Sequence, residues 1–405
     1  MTSGTRFLLA ARQCEIAELE QLARTSALVG VIGRFVHALQ RERGMANIFL
    51  SSRGARFASQ RTQQVADGAA AEAEVRAAFD GLDTEDAHAR NGSRLFSRVA
   101  LVLHALDGLP RLRERIAAQA LRAGEATAAY DKLVAALLAV VFEAADAATD
   151  PEISRALVAL FNFMQGKEFA GQERAFGARA FAAGTIDAAG QEHWRHLVAA
   201  QEGCLQVFTD FSDAEVLQAE RAAQDPEALA QLERLRRLGF GTRGALDAEL
   251  SDAWYAQCTR RIDGMRALED LLAARLRGLC ERRIAQARTE LRDQRTMLEA
   301  FAAQARAADP ATLAAYGPHL ERSVLALVQE QARRLQAMGD ELDEVRASLN
   351  ERKVVERAKG LLMAHRHLSE EDAYKALRQM AMNQNRRIVD VAQAVLSLAE
   401  VLPGG

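Results

Sequence analysis

The stretch VIGRFVHALQRERGMANIFL puts an arginine where its pattern asks for an apolar side chain. At helical spacing Ile32, Val36, Leu39 and Leu50 share one stripe, and Arg43 falls within it; Arg34 and Arg41 point the other way. Two more arginines behave alike. Arg174, in MQGKEFAGQERAFGARAF, shares the stripe of Leu160, Phe163, Ala170 and Phe181, and Arg236, in LAQLERLRRLGF, shares that of Leu229 and Leu232 while Arg234 faces away. A guanidinium keeps its proton, so burying it unpartnered is costly. Each of the three must meet a carboxylate or share a bound anion. Glu42, Glu168 and Glu173 are available as ion-pair partners, whereas Gly166, Gly171, Gly177 and Gly184 around Arg174 give room for close backbone approach or a small ligand. On spacing alone both readings stand.

Other chemistry finds little support. GFGTRG, Gly239 to Gly244, fits GxGxxG, but no strand precedes it and it closes a helical pattern, so it reads as a helix-ending turn. The eight histidines are dispersed with no HExxH, and His365 and His367 at a helix end read as surface residues. Cys14, Cys204, Cys258 and Cys280 have no CxxC spacing. The sequence offers no metal site, no cofactor motif and no nucleophile–base pair, and it does not read as an enzyme.

The elements that must position these arginines are helices. The chain has 405 residues, enough for two or three domains. Alanine, leucine, arginine and glutamate dominate, aromatics are 5%, there are only six prolines, and no region alternates β-branched and polar residues; the fold class is all-α. From Ile16 to Ala287 long helical patterns are separated by SSRGARF, NGS, DGLP, TDPE, AAGT, QDPE and GFGTRG, as packed bundles require. RAADPATLAAYGPHL, with Pro310 and Pro318, reads as a break or hinge. Beyond it Val324, Val328, Leu335, Met338, Leu342, Val345 and Leu349 recur at spacings of four and three, with Gln331 the polar member. That heptad seam predicts a coiled coil with a second chain; a single amphipathic helix packed on its own domain is the alternative. The expected divisions are a bundle region at 16–290, a linker at 291–320, a coiled-coil segment at 321–350 and a three-helix module at 351–400, whose first helix continues the coil. In that module HLSEEDAYKAL supplies a helix start with Ser369 as N-cap, and NQNRRI supplies a stop.

Net charge is −3, so no global basic field advertises nucleic acid. Between Arg346 and Arg387, however, ten basic residues face five acidic ones, a local +5 suited to phosphates; a solvated helix face would look the same on charge alone. The longest apolar run, Leu133 to Phe142, is far short of a membrane span, and no signal peptide is visible, which points to the cytoplasm.

Two resemblances give these features a direction. LQRERGMANIFL, followed far downstream by MQGKEFAGQERAFGARAFAAG, resembles the nitrate- and nitrite-sensing (NIT) domain over roughly Ala23 to Leu279. The resemblance implies an all-helical sensor of two packed bundles in which motif arginines hold the anion between helices. The matching positions are Arg43, Arg174 and Arg236, with Arg237 adjacent to the last as the other choice for the third contact. Nitrate is a planar monoanion whose oxygens suit arginine's planar fork, and arginine's weak hydration lowers the desolvation cost. The C-terminal ERKVVERAKGLLMAHRHLSEEDAYKALRQMAMNQNRRIVDVAQAVL resembles the ANTAR domain, closely in AKGLLM and AYKALRQMAM. That implies a module that binds paired RNA hairpins and stops a terminator from forming. Tyr374 is its one aromatic residue, so contacts fall to basic and polar side chains. Arg352, Lys359, Arg378 and Arg387 are the expected RNA contacts, with Met363 and Met382 as core neighbours. The combined expectation is a cytoplasmic homodimeric regulator with nitrate or nitrite as effector, leader-mRNA hairpins as partner, and no cofactor, DNA or membrane. The alternatives are a sensor reading a different small anion or a protein partner, and a purely structural helical protein.

Overall fold

The computed structural model describes residues 3–82, 92–241, 245–307, 310–366, 368, 370–384 and 386–401. Their regular structure is helical, with one isolated bridge between Thr185 and Ala245. The chain divides into two compact units, Met1–Val328 and Gln329–Gly405.

In the first unit, α1 (Ser3–Ser51), α2 (Ala58–Asp80), α3 (Gly92–Asp107), α4 (Leu109–Ala117) and α5 (Ala123–Asp146) are followed by α6 (Pro151–Ala183), α7 (Ala188–Phe211), α8 (Ala214–Ala223), α9 (Pro226–Gly241) and α10 (Leu250–Ala307). Helix α1 packs on α2, α5, α6 and α10, and α6 packs on α5, α7 and α10 as well. The spine of the unit is therefore α1, α6 and α10. Helix α6 has buried residues nearly all round, from Ile153 to Phe181, as an interior helix must. Helix α1 is the one described helix long and apolar enough to cross a membrane; most of its apolar stretch is covered by the rest of the fold.

The breaks read from sequence are built from caps. At TDPE the Asp150 carboxylate accepts the Ile153 N–H at 3.0 Å, and Pro151 occupies the first turn, where its missing N–H costs nothing. At AAGT the helix ends on Gly184 with φ +67°, a left-handed conformation that glycine adopts freely. Asp187, Asp213 and Asp225 cap α7, α8 and α9 in the same manner.

The second unit comprises the end of α11 (Pro310–Arg366) with α12 (Glu370–Gln384) and α13 (Ile388–Val401). Its core is Val355, Ala358, Leu362, Ala373, Leu377, Ala381, Val391 and Ala392.

Several expectations change here. The segment 291–320 is largely helical. Helix α10 runs through it to Ala307 and α11 begins at Pro310, which sits harmlessly in a first turn. Pro318 lies inside α11. Met363 and Met382 are not core neighbours: they are 37% and 65% exposed, because the smaller Ala358 and Ala381 take the inner positions. Along the heptad seam Leu335 is exposed, while Leu342, Val345 and Leu349 are buried. Ser369, His367 and the Thr242–Gly244 end of GFGTRG lie outside the described residues.

Candidate anion site and basic module

The three arginines of the apolar stripes are 1%, 4% and 6% exposed at Arg43, Arg174 and Arg236, while Arg34 and Arg41 are exposed. Their partners differ, and the differences decide what each can do.

Arg43 projects from α1 toward α5 and α6. Its Nη1 donates to Asp131 of α5 and to Glu168 of α6, and Nη2 donates to Glu168 at 3.2 Å. Burial disfavours its charge, but Glu168 and Asp131 outweigh that and hold its pKa above the ordinary value. Glu168 is fixed further by Gln40 and Gln172, each donating at 2.8 Å.

Arg174 projects from α6 and meets only neutral groups. Nη1 donates to the Thr259 hydroxyl at 3.0 Å, Nη2 to the Gln40 carbonyl at 3.3 Å, and the guanidinium lies 5.0 Å from the centre of the Tyr255 ring. No carboxylate among the described residues stands within ion-pair distance, and its buried Nε has no hydrogen-bond partner. It is a buried cation whose charge is not matched by a neighbouring acid.

The two arginines meet at one narrow cleft whose cavity volume is about 10 Å³, room for roughly one water. Arg43, Gly44, Asn47 and Ile48 line it from α1, Gly171, Arg174, Ala175 and Ala178 from α6, and Tyr255 from α10. Two glycines make the meeting possible, and they are reciprocal. A Cβ on Gly171 of α6 would lie 2.6 Å from Arg43 Nη2, and a Cβ on Gly44 of α1 would lie 3.0 Å from Arg174 Nη2 and from the Tyr255 hydroxyl. Each helix thus opens a notch for the other helix's arginine. Gly166 and Gly177 serve ordinary packing instead, the first against Cys204 and Leu205 and the second against the Trp254 ring.

Arg236 is not brought to this cleft. Glu173 takes its Nε at 2.7 Å and its Nη2 at 2.6 Å, and Glu233 takes its Nη1. Trp194 and Gln201 complete the Glu173 carboxylate at 3.0 and 2.7 Å. Burial works against Glu173's charge, yet these donors, Arg236 foremost, keep its pKa below the ordinary value. Its fork is held bidentately by Glu173, the residue before Arg174 on α6. Arg237 is exposed. Glu42, offered as a partner for these arginines, instead pairs with Arg113 at 2.7 and 3.0 Å and accepts the Tyr130 hydroxyl at 3.1 Å.

Beside the cleft a second buried pair joins α6 to α10, with Lys167 donating to Glu269. His37 of α1 is nearby in charge terms. Burial, reinforced by Lys167, Arg266, Arg41 and Arg174, lowers its pKa to about 3. It is neutral at any physiological pH. Sequence reasoning missed Asp131, Tyr255, Thr259 and Glu269, which lie on other helices at separations no spacing rule reaches, and Lys167, which shares α6 with Arg174. Gly44 could have been found: a mid-helix glycine costs roughly 1 kcal/mol relative to alanine and so asks for a packing reason.

In the second unit the four expected RNA contacts divide by exposure. Arg387, between α12 and α13, is exposed and donates to Glu351 at 3.1 Å and Asp390 at 3.4 Å. Arg352 on α11 and Arg378 on α12 are half-buried. Lys359 is 8% exposed, donates to Glu356 at 2.9 and 3.0 Å, and stands 5.9 Å over the Tyr374 ring. Arg387 bonds Glu351, the residue before Arg352, and Lys359 lies two helical turns along α11 from Arg352.

Comparison with known proteins agrees with both units. The profile described as nitrate and nitrite sensing matches residues 34–277, and that of the ANTAR domain matches residues 343–396. The nitrate regulatory protein of Klebsiella oxytoca is 33% identical over 391 residues, spanning 96% of this chain and 93% of its own length. The solved structure of the NasR transcription antiterminator aligns with a TM-score of 0.61 at 30% identity, covering 98% of this chain and 99% of that one.

Proposed function

This chain belongs to the nitrate- and nitrite-sensing family and carries an ANTAR domain, and on that premise we propose how its geometry makes a nitrate-responsive transcription antitermination regulator. The observation that carries the proposal is Arg174, a buried guanidinium with neutral partners only, facing a cleft it shares with Arg43. Nitrate binds there as the missing counter-charge. Its planar edge takes the fork of one arginine, and its remaining oxygen reaches the other. Arg236 acts at one remove. By holding Glu173, the residue before Arg174, it fixes the rotation of α6 and thereby the aim of Arg174.

Nitrate bridging α1 and α6 shifts the sensor toward the state that releases the ANTAR domain. A population swing from 1:99 to 99:1 needs about 5.5 kcal/mol of differential affinity. Charge-assisted hydrogen bonds contribute roughly 1.5–3 kcal/mol each, so three or four of them supply about 4.5–12 kcal/mol, a range that brackets the requirement. Once released, the module holds hairpins of a leader transcript through Arg352, Arg378 and Arg387, with Lys359 bracing the face from beneath. The polymerase then reads through. The protein works as a cytoplasmic homodimer paired along the heptad seam of α11, of which exposed Leu335 is a part. It performs regulation and no catalysis, and needs no cofactor.

Thermal unfolding of the full chain in millimolar nitrate, against chloride at equal ionic strength, tests the sensor. Selective stabilisation by nitrate is expected, since a ligand held only by the folded state raises its midpoint. Equal midpoints in the two salts would refute the nitrate site.

A further inference from the structure

Arg43 already carries two carboxylates, and they are not equivalent. Glu168 is 2% exposed, sits on the same helix as Arg174, and accepts from Gln40 and Gln172 as well as from Arg43. It has three donors and no route to water. Asp131 comes from α5, its side chain is 32% exposed, and Arg43 is its one hydrogen-bond partner among the described residues. It can turn into solvent at little cost.

We propose that Asp131 is a tethered competitor for the incoming anion: it occupies Arg43 in the unliganded sensor, leaves when nitrate binds, and so sets the affinity of the site. The inference rests on reading the cleft as the nitrate site. A carboxylate and nitrate offer a guanidinium the same planar two-oxygen edge. Exchanging one monoanion for the other therefore keeps Arg43's bonds and the local charge nearly constant. Nitrate gains what Asp131 does not reach, the unmatched guanidinium of Arg174 across the cleft. The exchange also has a mechanical result. The Asp131–Arg43 pair ties α5 to α1, and its release loosens that tie when α1 and α6 are drawn together. Glu168 stays, because leaving would strand a buried charge and two amide donors.

Isothermal titration of nitrate into the full chain, in chloride of constant ionic strength, tests this. Asp131→Asn keeps the shape and removes the competing charge. It should bind nitrate on the order of tenfold more tightly than the wild type, the scale of one partly exposed ion pair removed from the competition. Asp131→Glu keeps a competing carboxylate and should stay within about threefold of wild type. If Asp131→Asn loses its helical circular dichroism, Asp131→Ser is measured in its place with the same expectation. Unchanged or weaker affinity in the charge-free variant, with wild-type binding intact, overturns the role of Asp131 and leaves the nitrate site standing. Absence of nitrate binding in the wild type and every variant overturns both.

Discussion

Replacing Arg174 and Arg236 in turn by methionine separates a cation poised for a ligand from one that serves the fold. Both are buried on neighbouring elements, and methionine fills much of the arginine's length without charge. Arg174→Met removes two hydrogen bonds from a charged donor to neutral acceptors, worth roughly 1.5–3 kcal/mol each, and a cation–π contact of about 0.5–2 kcal/mol. Against that it removes the desolvation penalty of a buried ion without a counter-charge, several kcal/mol after relaxation. The acceptors left behind are not stranded. The Gln40 carbonyl belongs to α1 and keeps its own helix, and the Thr259 hydroxyl can turn to the carbonyl four residues before it. The two sides nearly cancel, and the expected change in stability is within about 2 kcal/mol. Arg236→Met is different. It leaves Glu173, 1% exposed, with only Trp194 and Gln201 as donors, and breaking a buried pair from one side costs about 3–5 kcal/mol. At roughly 2–4 °C per kcal/mol for a unit of this size, Arg236→Met should lower the thermal midpoint by about 6–20 °C and Arg174→Met by far less. Circular dichroism at 222 nm, a standard helix wavelength, reads both, repeated with nitrate. Arg174→Met should lose the nitrate-dependent rise altogether. A midpoint for Arg174→Met as low as that of Arg236→Met, or a nitrate rise that survives it, would refute the reasoning.

Three further outcomes follow from the same geometry. Gly171→Ala sets a Cβ 2.6 Å from Arg43 Nη2 and should abolish nitrate-dependent readthrough while the chain stays folded, which a transcription-readthrough assay beside circular dichroism checks. His37, with a folded pKa near 3 against about 6.5 unfolded, binds protons more readily when unfolded; its contribution to stability is full above pH 6.5 and declines as pH falls toward 3. Wild type should therefore lose more stability than His37→Gln between pH 7 and 5, measured by urea unfolding, with the raised carboxylates Glu42 and Asp131 common to both proteins. Arg387→Ala should weaken leader-RNA binding and reduce the salt slope by about 0.7–0.9, whereas Lys359→Ala should weaken binding and also lower the stability of the module, because Lys359 is packed over Tyr374.

How much of this was legible in the sequence depends on the range of the interaction. The helices and their stops were readable, because Asp150-Pro151, Gly184 and Asp225-Pro226 act within one turn of themselves. The burial of Arg43, Arg174 and Arg236 was readable too, since helical spacing fixes which face a residue shares. What spacing could not supply is the partner. Asp131 lies 88 residues from Arg43, Glu168 lies 125, and Glu173 lies 63 from Arg236. The sign of the site turned on that information. Glu168 and Glu173 sit five residues apart on α6, yet one serves the cleft and the other takes Arg236 away from it. The misplacement of Met363 and Met382 has a related cause. In a module of three short helices, alanine can hold the inner position, so hydrophobicity alone does not rank the faces.

The paired notches at Gly44 and Gly171 carry a lesson for sequence change. Position 171 is free to grow only if position 43 gives way, and position 44 only if positions 174 and 255 do, so five residues on three helices form two coupled sets. A single substitution at any of them meets steric resistance or leaves a hole. Retuning the cleft toward a bulkier oxyanion must therefore proceed in compensated steps, and among related sequences these sets should drift together or not at all.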